Sequence, residues 1–207
     1  TVLGSIALHG LRLSETSLGS KVVVIGLGII GQLVCRLAEA QGSEVIGIDP
    51  DTKRTDMSEN FYTSVEEANM TNVDSVIITA ATSSNEPIEV ATKIARNKAK
   101  IVVVGDIPLN ISRNDFYYKE LELVVSKSYG PGRYDKQYEI LGKDYPIEYV
   151  RWTENRNFEA FIKLLSQNQI HLLDLVTEEV SFENAPSIYK KFSGEDKPLS
   201  IVLRYDN

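Results

Sequence analysis

KVVVIGLGIIG (21–31) decides the fold. Five residues of strand character run into glycines at 26, 28 and 31, spaced G-x-G-x-x-G. Downstream, GQLVCRLAEAQG (31–42) carries apolar residues at helical spacing, with Ile30, Leu33, Val34, Leu37 and Ala38 on one side. A strand, a glycine loop and a helix in that order can cradle a pyrophosphate, or can be only a tight turn. Gly26 permits the tight turn, Gly28 lets backbone approach the phosphates, and Gly31 lets helix pack closely on strand. The helix N-terminus, opening at Ile29 and Ile30, presents free N–H groups and the positive end of its dipole.

An acid completes the pattern. Asp49 ends VIGID, 18 residues after Gly31, where a carboxylate accepts hydrogen bonds from a ribose hydroxyl pair. A 2′-phosphate would meet that carboxylate, so NAD is expected over NADP; Lys53 and Arg54 nearby weaken the preference. A methyltransferase loop fits poorly, because Val24 and Ile25 stand where its acid would be.

Outward from this unit, Val- and Ile-rich runs recur: EVIGI (44–48), a weaker FYT (61–63), SVIIT (75–79), KIVVV (100–104) and LELVVS (121–126). Runs apolar on both faces, alternating with helices, predict a doubly wound, six-stranded parallel sheet of Rossmann type in an α/β chain. Ser64 and Glu67 have capping-box spacing, and Ser84 or Asn85 is placed to cap a helix through Ile94 with Pro87 in its first turn. After Ser126 the character changes. SYGPGRYD (128–135) and the region around YVRWTENRN (149–157) read as long loops, followed by helix, extended segment, short helix and final strand. The expected division is therefore 1–128, with a leading helix over 1–13, and an α+β tail over 129–207.

Composition narrows the function classes. Lys plus Arg number 22 against 29 Asp plus Glu, a net charge of −7, which disfavours nucleic-acid and anionic-membrane partners. No apolar run is long enough to span a bilayer, and no signal peptide is visible. The single cysteine, Cys35, forbids an internal disulfide and fits a cytoplasmic setting. Cys35 lies mid-helix on the side that packs on the sheet, a buried thiol. His9 and His171 are far apart in amphipathic patterns, and neither has a Cys, His or acid at ligand spacing in the sequence, so no zinc is expected. The chain opens without Met inside an amphipathic helix, TVLGSIALHGLRL, and is expected to be part of something longer.

GSKVVVIGLGIIGQLVCRLAEAQGSEVIGID (19–49) resembles the cofactor domain of medium-chain dehydrogenases/reductases, the zinc-type alcohol dehydrogenase group. KIVVVGDIP, KELELVVSKSYGPGRYD, DYPIEYVRWTENRN and LVTEEVSFENAPSIYKKF extend the resemblance over nearly the whole chain. They point to bi-domain bacterial oxidoreductases of surface-polysaccharide gene clusters, whose second half is Gfo/Idh/MocA-like. The resemblance implies an NAD(H)-binding domain of an oxidoreductase acting on a sugar or nucleotide-sugar alcohol. It implies a catalytic GroES-like lobe before Thr1, on which the tail would pack, and little activity without it. The zinc-binding Cys of the family pattern, expected close to Thr1, is Thr here. The segment 51–74 is shorter than in typical relatives. The implied cofactor contacts are Gly26, Gly28, Ile29, Ile30 and Gly31 at the pyrophosphate and Asp49 at the ribose. Pro50 and Arg54 fall beside the adenosine, and Ala80, Ala81 and Thr82 after the fourth strand. Val104, Gly105 and Asp106 end the fifth, and Ser126 follows the sixth, with Ser128 beyond it. The resemblance also implies a homodimer through the strand LELVVS. Catalytic residues are not legible. Tyr129, Arg133, Tyr134, Arg151 and Trp152 form polar and aromatic loops that either face a substrate sugar or the absent lobe, or are simply solvated or interface loop residues. Competing readings are a regulatory NAD-sensing domain of RCK/KTN type and a nucleotide-binding scaffold without turnover.

Overall fold

A computed structural model describes residues 1–192 and 197–205. Helix α1 (Val2–Leu13) leads into β1 (Lys21–Ile25), α2 (Ile29–Ala40) and β2 (Glu44–Ile48). The short α3 (Thr52–Thr55), β3 (Phe61–Tyr62) and α4 (Val65–Ala68) precede β4 (Val73–Ile78), α5 (Glu86–Ile94) and β5 (Ala95–Val103). Then come α6 (Arg113–Lys119), β6 (Glu122–Val125), α7 (Lys136–Glu139) and α8 (Glu154–Ser166). The chain continues through β7 (Glu178–Ser181), α9 (Ala185–Phe192) and β8 (Ile201–Arg204).

The six-stranded sheet has the order β3-β2-β1-β4-β5-β6, parallel throughout. This is the doubly wound Rossmann topology expected from the alternation of strands and helices. Side chains alternate across it. Val23 and Ile25 of β1 join Val76, Ile78, Ile101 and Val103 in a core with Ile88, Ala91 and Ile94 of α5. The other face lies under α1 and α2, which pack on one another. Val22, Val24, Val34, Cys35 and Ala38 are essentially solvent-free there.

Local differences from the expected elements have local causes. β5 runs back from Lys100 to Ala95, directly out of α5, with a register irregularity against β4 between Val73 and Ser75. At α4 the Ser64 hydroxyl accepts the Glu67 N–H (3.2 Å), but the Glu67 carboxylate turns to the N–H and hydroxyl of Thr63, one residue earlier than a capping box requires. Asn85 holds the N-cap position of α5, yet its side chain ties Glu89 and the Asn110 backbone; Ser84 receives the Glu86 N–H.

By internal contacts the chain forms two compact units, Thr1–Ile170 and the residues from His171 on. The expected division near residue 128 differs from this, because α8 packs against α1. Phe161, 1% exposed, sits over Gly4, where any Cβ would lie 2.1 Å from its ring. The glycine- and tyrosine-rich loops between β6 and α8 thus belong with the sheet. In the second unit, β7 and β8 pair in parallel as a separate two-stranded sheet.

Candidate cofactor site

The glycine loop crosses from the end of β1 to α2. Gly26 adopts φ +96°, and a Cβ there would lie 2.5 Å from the Ala80 nitrogen. Glycine is required on both counts. Gly31 faces the turn itself: a Cβ would come 1.9 Å from the Gly26 carbonyl oxygen and 2.8 Å from the Thr79 hydroxyl. Gly28 is different. A Cβ there would meet only the tip of Arg54, at 3.8 Å. Space over Gly28 is therefore open, as a backbone surface that receives a ligand must be.

Gly28 is the N-cap of α2, and no side chain caps the helix. The free N–H groups of its first turn, around Ile29 and Ile30, favour an anion, and the helix dipole adds to that. Asp49, 4% exposed, stands beside this turn at the end of β2. Its Oδ2 accepts the Leu27 N–H (2.7 Å) and lies 3.3 Å from Nη1 of Arg54; its Oδ1 accepts the Asp51 N–H (3.0 Å). Backbone donors from the loop and from β2's own exit aim the carboxylate, which keeps lone pairs for further donors. The guanidinium of Arg54 also reaches Asp51 through Nε (3.3 Å), so it lies across the loop with two acids beneath it. These features fit a dinucleotide: an uncapped helix start over an open glycine for the pyrophosphate, and an oriented acid for a ribose.

Other expected residues gather at the carboxyl ends of the same strands. A Cβ on Gly105 would strike the Ala80 carbonyl oxygen at 2.0 Å, and the Thr82 N–H bonds the Asp106 carbonyl (3.0 Å). Gly26, Ala80, Thr82, Gly105 and Asp106 thus form one row where β1, β4 and β5 end. Ala81, Thr82 and Asp106 are exposed, as is Pro50 beyond Asp49. Val104 turns its side chain to α1, with Cγ2 2.6 Å from where Gly10 would carry a Cβ, so only its backbone faces the strand ends. Ser126 bonds through its N–H to Val103 (2.8 Å), and its buried hydroxyl lacks a partner in the structure.

Two contributors escape a motif search. Thr79 donates its hydroxyl to the Gly26 carbonyl and fastens the turn from β4, while Leu27 lends only its N–H to Asp49. The legible signal for Thr79 is a lone polar residue closing the apolar run SVIIT; Leu27 acts through backbone, which carries none.

A profile of the family described as D-isomer specific 2-hydroxyacid dehydrogenase, NAD binding domain, matches residues 9–115. The chain belongs to that family of NAD-binding domains. The match runs from α1 into α6 and takes in β1 to β5, among which the glycine loop and Asp49 lie. Among curated proteins, the chain is 27% identical over 152 residues to 2-dehydro-3-deoxy-L-galactonate 5-dehydrogenase of Pseudoalteromonas atlantica, covering 66% of this chain and 44% of that protein. It is 25% identical over 217 residues to D-guloside 3-dehydrogenase of Escherichia coli, covering 95% and 57%. The chain thus spans about half the length of the curated relatives it matches. A structure described as a zinc-binding dehydrogenase from Sinorhizobium meliloti, bound to NADP, superposes with a TM-score of 0.73 at 19% identity, over 99% of this chain and 57% of that one. The resemblance to zinc-type alcohol dehydrogenases is therefore a likeness of fold across sheet and tail. Among the described residues no group of three His, Cys, Asp or Glu side chains is placed to hold a metal ion. No helix among them is long and apolar enough to cross a membrane.

Proposed function

We propose that this chain is the NAD(H)-holding domain of a dehydrogenase that acts on a sugar or sugar-derived alcohol. The observation that carries the reading is the pairing of an uncapped α2 start over open Gly28 with a buried, backbone-aimed Asp49. The first turn of α2 binds the pyrophosphate, Asp49 takes the adenosine ribose hydroxyls, and the row from Ala80 to Asp106 orients the rest of the cofactor. Bound nicotinamide supplies or accepts the hydride. The sugar class is supported by the names of the two curated relatives. NAD is preferred because Asp49 opposes a 2′-phosphate; Lys53 and Arg54, close by, are the groups that would favour it.

The proton relay and the lid over the nicotinamide belong, in this reading, to a GroES-like lobe of the same protein, in surface-polysaccharide metabolism, and the cytoplasm is its setting. The exposed edge of β6, where Val125 is 60% exposed, pairs with a second copy. Calorimetry tests the cofactor reading. NADH is expected to bind more tightly than NADPH, and Asp49→Ala to weaken NADH by about tenfold or more. Absence of NADH binding by the intact chain would overturn it.

A further inference from the structure

SYGPGRYD (128–135) and YVRWTENRN (149–157) are the tail's most distinctive stretches, and Arg12, Trp152 and Asn157 take no part in the row of strand ends. They meet at α1. The one tryptophan of the chain, Trp152, has the Cζ of Arg12 at 3.3 Å from its ring centroid and that of Arg151 at 3.8 Å. Two guanidinium groups that close to one centroid cannot share a face, so they stack on opposite sides of the indole. Arg12 is also held edge-on. Its Nε donates to Oδ1 of Asn157 (2.9 Å), and Nδ2 of that fully buried amide donates to the Tyr129 carbonyl (2.9 Å). With Nε engaged and the plane stacked, the Nη1/Nη2 edge is what Arg12 offers outward. That edge is the fork that pairs with planar or tetrahedral oxyanions.

No acid answers it. Among the described residues, Arg54, Arg96, Arg133, Arg156 and Arg204 each reach a carboxylate, whereas Arg12, Arg151 and Lys163 form no ion pair. This holds in a chain with net charge −7. A cleft of about 370 Å³ between α1 and α8 is lined by Arg12, Lys163, Gln167 and Gln169 over apolar Leu8 and Leu164. Its polar lining is two cations and two amides, with no carboxylate. Burial first, and then Arg151, pull the Arg12 guanidinium down to about 10, so the fold holds this cation against both desolvation and a like charge.

We propose that the α1–α8 cleft is a binding site for a phosphate or phosphoryl group, held directly by Lys163 and by Arg12, which is itself stacked on Trp152. A dianion neutralises both cations, whereas a single carboxylate leaves one uncompensated. Arg151, across the indole, adds to the attracting field. The site lies off the row of strand ends and does not depend on the cofactor reading.

Trp152 itself is the reporter. The intact chain is titrated with sodium phosphate, sodium chloride at matched ionic strength, glycerol 1-phosphate and sodium acetate, following tryptophan fluorescence. A saturable change with phosphate and none with chloride is expected. Tighter saturation by glycerol 1-phosphate identifies a phosphorylated metabolite as the occupant; tighter saturation by phosphate identifies the free ion. Both support the site. Acetate saturating as tightly as phosphate overturns the phosphoryl assignment, and no saturable response overturns the site. Arg12→Lys keeps charge but loses the fork, and about tenfold weaker phosphate binding is expected. Lys163→Gln, on an exposed position, keeps the fold intact and is expected to weaken binding similarly; unchanged affinity in that variant overturns the assignment to this cleft. Because no arm uses NAD(H), a failed cofactor reading and a failed phosphate site give separable results.

Discussion

At the residue scale, the three glycines of one motif do different work. Gly31 has no room: its Cβ would stand 1.9 Å from a backbone oxygen. Gly31→Ala is expected to cost about 3 kcal/mol or more, read from the denaturant midpoint, because backbone cannot yield as a side chain can. Gly28 has extended backbone (φ −63°, ψ −177°) and open space, so Gly28→Ala is expected to keep stability within about 1 kcal/mol while weakening NADH binding in calorimetry. If both variants lost only stability, the loop would be a turn and nothing more. Cys35, 1% exposed, has its thiol pushed up strongly by burial and by Glu39. It is expected to resist thiol-specific labelling in the native chain and to react on unfolding.

At the scale of elements, α1 is the joint between sheet and tail. Gly10 seats it on Val104 at the end of β5, Gly4 seats Phe161 of α8, and His9 lies against Gly130 of the β6–α8 loop. His9 is 8% exposed; burial, then Arg12, lower its pKa from 6.5 to about 4. The folded state therefore favours neutral imidazole. Between pH 6.5 and about 4 the unfolded chain binds a proton that the folded chain refuses, so this contribution is whole above pH 6.5 and lost as pH falls toward 4. The shift corresponds to about 3 kcal/mol. Melting temperature against pH is expected to fall less steeply through that window in His9→Gln than in the parent chain. Parallel slopes would show that His9 already protonates freely in the folded state.

At the scale of the whole molecule, the proposed self-pairing rests on an edge strand. β6 closes one side of a parallel sheet, and its outward backbone groups are available to another strand. Sedimentation is expected to show a dimer that Val125→Lys converts to monomer without lowering the melting temperature. A monomeric parent chain at high concentration would remove the proposed pairing.

The fold was legible because period and punctuation are local. Runs apolar on both faces, a glycine triplet and an acid at fixed spacing specify strand, turn and helix without reference to distant residues, and the observed strand order followed. The candidate site was legible as far as those local rules reach: Gly26, Gly28, Gly31 and Asp49. Thr79 and Leu27 were missed because one acts across the sheet and the other through its backbone. Composition changes at residue 128, yet Phe161 packs on Gly4 across that change, a contact no local pattern encodes. By itself the sequence determined the doubly wound sheet and the glycine cradle with its acid. Only the tertiary structure decided that Arg12, Trp152 and Asn157, up to 145 positions apart, meet around one indole, since such meetings depend on how α1 and α8 are packed together.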